Sequence, residues 1–115
     1  MISLSVYLTP KAGRAADLER AIADEWMGAM AGQPGFLWAT VKTAYADEEL
    51  AALQAARPSH LYEVVSYWSS EKERVEWVAR DIHQVVWPRV LAQAERVSYT
   101  LFHCGRTWGR QGEGT

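Results

Sequence analysis

The sequence predicts an α+β fold, a ferredoxin-like βαββαβ sandwich. Four segments alternate apolar residues with a period of two, two others carry a helical period, and their order makes two βαβ halves. Because crossovers are right-handed, both main helices pack on one face of a four-stranded sheet. The 115 residues suit one domain over 1–108, with a Gly-rich, flexible tail over 109–115.

The first strand runs from Ile2 to Thr9 and ends at Pro10. It sets Ile2, Leu4, Val6 and Leu8 against Ser3, Ser5 and Tyr7. From Gly13 to Ala31 the period is helical, with Leu18, Ala21, Ile22, Glu25 and Ala29 on one face and Trp26 at its edge. "GQPG" (Gly32 to Gly35) stops that helix, and "FLWATVKTAY" reads as the second strand. "ADEELAALQAAR", acidic at its start and closed by Pro58, reads as a short helix that serves as a lid or as a dimer arm.

"SHLYEVVSYW" is the third strand, where Leu61, Glu63, Val65 and Tyr67 alternate with His60, Tyr62, Val64, Ser66 and Trp68. Alternation alone leaves open which of these faces inward. Ser70 with Glu73 has the pattern of a capping box opening one long helix, whose stripe is Val75, Val78, Ala79, Ile82, Val86 and Val90. Pro88 predicts a kink in it. On a straight helix Trp77 falls opposite the stripe, exposed or against a partner, whereas His83 shares one shoulder with Arg80 and Trp87. "VSYTLFHC" is the fourth strand. Neither alternating set is polar throughout, so the sheet face without helices needs a cover. A twin sheet is the simplest one, giving a homodimer.

Composition excludes several classes. A net charge of −2 with twelve scattered Lys and Arg argues against a nucleic-acid surface. No apolar run approaches the roughly 20 residues that span a bilayer. "MISLSVYLTP" lacks the marks of a signal peptide, and the one cysteine precludes an internal disulfide, so a cytoplasmic protein is expected. The three histidines show no metal-binding spacing, no Gly-rich phosphate loop is present, and Cys104 reads as a buried small hydrophobe. Six tryptophans and no asparagine point to an aromatic cavity, an aromatic dimer surface, or both.

"QPGFLWATVKT" followed by "YEVVSYWSSEKERVEWVARDIH" resembles the antibiotic biosynthesis monooxygenase family of dimeric α+β barrels. In that family a Pro-Gly turn feeds the second strand, the third strand ends in Trp before acidic or serine residues, and the next helix carries a His near its middle. Trp68 matches the strand-ending Trp and His83 falls close to the helix His. The resemblance covers most of the chain except the insertion at 47–58 and the tail. It implies a small-molecule enzyme of secondary metabolism, a cofactor-independent monooxygenase acting on a planar aromatic or polyketide-like substrate between sheet and helices. The alternatives are a heme-binding or heme-degrading protein and a non-catalytic dimeric binding module. The heme-degrading members use an Asn on the first strand, a Trp on the second helix and a heme-ligating His ten residues later. Trp77 matches that Trp, but position 87 is Trp, and the first strand offers Ser5, Tyr7 or Leu8 where Asn belongs. The anthrone-oxidising members also use an Asn, which this chain lacks.

His83 is the first candidate for a general base, or a heme ligand with Arg80 on a propionate; its other reading is a boundary histidine bonded to a carbonyl or carboxylate. Glu25 interrupts an apolar face, so it is either a desolvated acid–base group or the partner of an Arg or Tyr. Glu63 poses the same choice on the third strand. Trp26, Trp38, Trp87 and Tyr67 would wall the cavity, and Tyr7, Tyr67 and Tyr99 offer phenols that either steer a polar aromatic substrate or satisfy a dimer interface.

Overall fold

The structure is a computed structural model and describes residues 1–109. Apart from Gly109, the expected tail over 109–115 lies outside the described residues. Strands β1 (Ile2–Pro10), β2 (Phe36–Thr43), β3 (Tyr62–Trp68) and β4 (Ala94–His103) form one sheet in the order β2-β3-β1-β4, with every neighbouring pair antiparallel. This is the α+β ferredoxin-like arrangement the periodicity implied.

Register sorts the strand residues into two faces. Ile2 pairs with Trp68, Val6 with Val64 and Leu8 with Tyr62, and all six join the core beneath the helices. The third strand therefore turns its Tyr62, Val64, Ser66 and Trp68 set inward. Trp68 is fully buried and donates its indole N–H to Ser66 Oγ at 3.0 Å, which satisfies the one polar atom it brings into the core. The opposite face is bare and carries three cross-strand rows. Trp38, Tyr67, Ser3 and Phe102 form one row; Thr40, Val65, Ser5 and Thr100 the next; Lys42, Glu63, Tyr7 and Ser98 the third.

The first helical region is not one regular helix. It runs as α1 (Ala15–Arg20), a π-helical segment (Ala21–Trp26) and α2 (Met27–Met30). Leu18, Ile22, Trp26 and Met30 are all buried, at a spacing of four. With about 3.6 residues per turn an α-helix drifts from such a line by roughly 120° over that span. The π segment, in which Met27 N–H bonds back to the Ile22 carbonyl, absorbs the drift. Trp26 moves from the edge of the stripe into the core, and Glu25 moves out of it.

The expected single long helix is two helices, α4 (Glu71–Val78) and α5 (Asp81–Leu91), separated by an extended Arg80 with φ −73° and ψ 150°. Trp77 and Val86, nine positions apart, would sit on opposite sides of a continuous helix. Breaking at Arg80 lets both turn to the sheet, and the Gln84 side chain ties the break by donating to the Val78 carbonyl at 2.9 Å. Two expectations are corrected here: Trp77 is buried at 2% exposure, and Val75 and Ile82 of the supposed stripe face solvent. Pro88 lies inside α5, which continues to Leu91.

Ser70 caps α4 as expected, accepting from Glu73 N–H at 3.2 Å while Ser69 and Ser70 donate to the Glu73 carboxylate. Those hydroxyls, Ser69 first, hold the Glu73 carboxyl below its usual range. Gly35, at φ +81°, closes the turn under the same carboxylate; a Cβ there would come within 2.4 Å of the Glu73 side chain. The short helix α3 (Asp47–Ala52) forms in the insertion and buries none of its residues. Cys104 is half-buried rather than buried. Among the described residues no helix is long and apolar enough to cross a membrane.

Candidate functional site

The helix layer covers the centre of the sheet and leaves a cavity of about 170 Å³ toward the β4 edge. Leu4 and Val6 of β1 and Tyr99 of β4 line it from the sheet side. Trp26 of the π segment, Arg74 and Val78 of α4, and His83 and Trp87 of α5 line it from the helix side. The lining is mostly apolar and aromatic. Trp26 and Trp87 meet at a centroid distance of 5.0 Å, and His83 lies nearly parallel to Trp87 at 6.2 Å and edge-on to Trp77 at 5.0 Å. Tyr99, 65% exposed, stands at the mouth.

Besides the Tyr99 phenol, three lining residues carry polar side-chain atoms. His83 is buried with Nδ1 unpartnered, and Trp26 is buried with its indole Nε1 unpartnered. Arg74, its side chain 14% exposed, is the third; it pairs with Glu71 through Nε and Nη2. Burial first, and the Arg74 charge second, push the His83 imidazole below its usual 6.5, so it is neutral at pH 7. A neutral imidazole beside a fixed cation, inside an aromatic wall, can take a proton from a bound molecule and hold the resulting anion against the guanidinium.

Of the residues expected at the site, the cavity brings together His83, Trp26 and Trp87. Arg80 lies outside it, exposed at the head of α5, because the helix break turns it away. Glu25 pairs with Arg89 on the outer side of the helices. Four others gather on the bare sheet face. Glu63 pairs with Lys42 at 3.5 Å, Trp38 stacks on Tyr67 at 4.3 Å, and Tyr7 packs near His60 at 5.3 Å. A shallower groove of about 560 Å³ opens there, between Tyr7, Lys42, Glu63 and the 58–61 segment. Its Lys42 and Glu63 pair with one another across the strands, and its lining brings no histidine into an aromatic wall of tryptophans as the smaller cavity does.

Sequence reading missed Arg74, whereas Tyr99, one of the three phenols expected to steer a substrate or meet a partner, does line the cavity. The signal for Arg74 was available: counted from the Ser70 cap, Arg74, Trp77 and Val78 share one helix face. That face was obscured by extending the helix past Arg80. Tyr99 alternates with Val97 and Leu101 along β4, on the inward side that register fixes. None of the residues of the 47–58 insertion lines the cavity.

No protein-family model matches the chain, and comparison with curated proteins finds no match. Solved structures do match its fold. SnoaB, a cofactor-independent oxygenase from Streptomyces nogalater, is 16% identical, with 95% of this chain and 97% of that one covered at a TM-score of 0.73. A protein from Deinococcus radiodurans, provisionally named an antibiotic biosynthesis monooxygenase, is 15% identical over 97% of this chain and all of that one, at 0.72. A dimeric ferredoxin-like protein of unknown function from Thermobifida fusca is 10% identical over 90% of each chain, at 0.69. At such identities the likeness shows the fold alone: α+β and ferredoxin-like.

Proposed function

We propose that this chain is a small cofactor-independent oxygenase whose substrate is a planar aromatic molecule bound in the cavity between sheet and helices. The carrying observation is His83 set in the cavity wall among Trp26, Trp87 and Arg74, its imidazole pKa lowered by burial and by the Arg74 charge. His83 takes a proton from a CH₂ carbon made acidic by a ring carbonyl conjugated with it. The carbanion so formed reduces dioxygen by one electron, and the two radicals combine as a hydroperoxide. Loss of water then leaves a carbonyl, so a CH₂ group and O₂ become C=O and H₂O, with no cofactor in the balance. The protein contributes desolvation, aromatic contact and one base. SnoaB, of like fold, is described as cofactor-independent, which supports the reading.

Heme fits this arrangement poorly. Arg80 lies outside the cavity, and about 170 Å³ leaves no slot for a tetrapyrrole. The non-catalytic module requires tryptophans that fill the sheet–helix space, and a cavity with unpartnered polar groups in its wall counts against it.

Oxygen uptake over a panel of hydroxylated and keto-aromatic compounds tests the proposal. A turned-over compound should lose about 10²-fold or more in kcat in His83→Ala, the usual contribution of a general base. Unchanged turnover in that folded variant removes His83 from the chemistry.

A further inference from the structure

Resting on the reading of this cavity as the functional site, we propose that its ligand is a one- or two-ring aromatic oxyanion, a phenolate or carboxylate. Arg74 is its counter-charge. Size sets the ring count. The cavity holds about 170 Å³; a cavity of about 150 Å³ accommodates benzene, whereas drug-sized ligands occupy about 300 Å³ or more. A three-ring system exceeds this space unless Tyr99 at the mouth swings away.

Charge and hydrogen bonding set the functional group. Among the lining residues Arg74 carries the only full charge, and no carboxylate faces the cavity. Glu71, half-exposed, holds Arg74 Nε and Nη2 from the solvent side, and among the described residues nothing accepts from Nη1. An oxygen bearing negative charge answers the guanidinium, and the flat aromatic walls answer its ring.

Quenching of tryptophan fluorescence by naphthalene, 2-naphthoate and 2-anthroate measures binding independently of turnover. The expected result is 2-naphthoate binding at least 10-fold tighter than naphthalene and 2-anthroate. Arg74→Gln should abolish the preference over naphthalene and Arg74→Lys should retain much of it, with circular dichroism unchanged. Equal binding of naphthalene and naphthoate, equal binding of 2-anthroate, a preference that survives Arg74→Gln, or no binding of any probe overturns the proposal. The two readings separate cleanly. Selective naphthoate binding without oxygen uptake on any panel compound overturns the oxygenase alone. Turnover of a three-ring substrate at an unchanged rate in Arg74→Gln overturns the oxyanion assignment alone.

Discussion

At the scale of single residues, His83 couples activity and stability to pH through one proton. Its folded pKa lies below 6.5 because the charged imidazolium loses hydration on burial and meets the Arg74 charge. The active base is the neutral form, so kcat/KM should hold constant through neutrality and fall only on an acid limb whose midpoint lies below 6.5. Stability follows the same sign. Between the folded pKa and 6.5 the unfolded chain binds more protons than the folded one, so the folded state gains as pH rises through this window. This stabilisation is fully present above 6.5 and is lost as pH falls through the folded value. Replacing His83 by Phe should therefore flatten the decline of the thermal midpoint between pH 7 and 5. A decline as steep as in the parent protein would place the responsible group elsewhere.

At the scale of elements, tertiary burial overrode helical periodicity twice, and both departures build the cavity. The π segment carries Trp26 into it, and the break at Arg80 points His83 and Trp87 toward it while turning Arg80 out. Neither departure has a glycine or proline at its position, so neither had a local signal to read. Where local chemistry did decide, the sequence was legible: Ser70 and Glu73 formed the anticipated cap. The turn before β2 illustrates the same point. Gly35 holds φ +81°, and a methyl group there would press into the Glu73 side chain that completes the cap. Gly35→Ala combines a disfavoured left-handed conformation with that overlap and should cost about 2 kcal/mol or more. Urea unfolding measures it. Adding Glu73→Ala removes the overlaps with Cδ and Oε1 but leaves the one with the Glu73 Cβ and the dihedral, so a full rescue by the double variant would refute the backbone account.

At the scale of the whole molecule, strand alternation was enough to give the sheet and its two faces, yet inward and outward could be assigned only once register was known. Register also explains why Glu63, Tyr67, Trp38 and Tyr7 are not at the cavity: they belong to the bare face. That face has a shape suited to a second copy. Down its middle Ser3 and Ser5 of β1 form a low trough, and Tyr67 and Phe102 rise on either side of Ser3. Phe102 is 61% exposed and Trp38 40%. The insertion extends the same surface. α3 buries nothing, although the segment around it displays Tyr45, Leu53 and Leu61, and a six-residue helix is not stable in water by its own hydrogen bonds. A twin sheet laid across the trough would bury both features, and a stable pair requires about 800 Å² on each partner. The chain should sediment at twice its monomer mass at micromolar concentration. Phe102→Glu, a change at a position already open to water, should give a monomer with unchanged circular dichroism, because a buried unpaired carboxylate opposes association but costs the isolated fold little. A parent protein that sediments as a monomer, or a Phe102→Glu variant that remains dimeric, would show that this face is not where two chains meet.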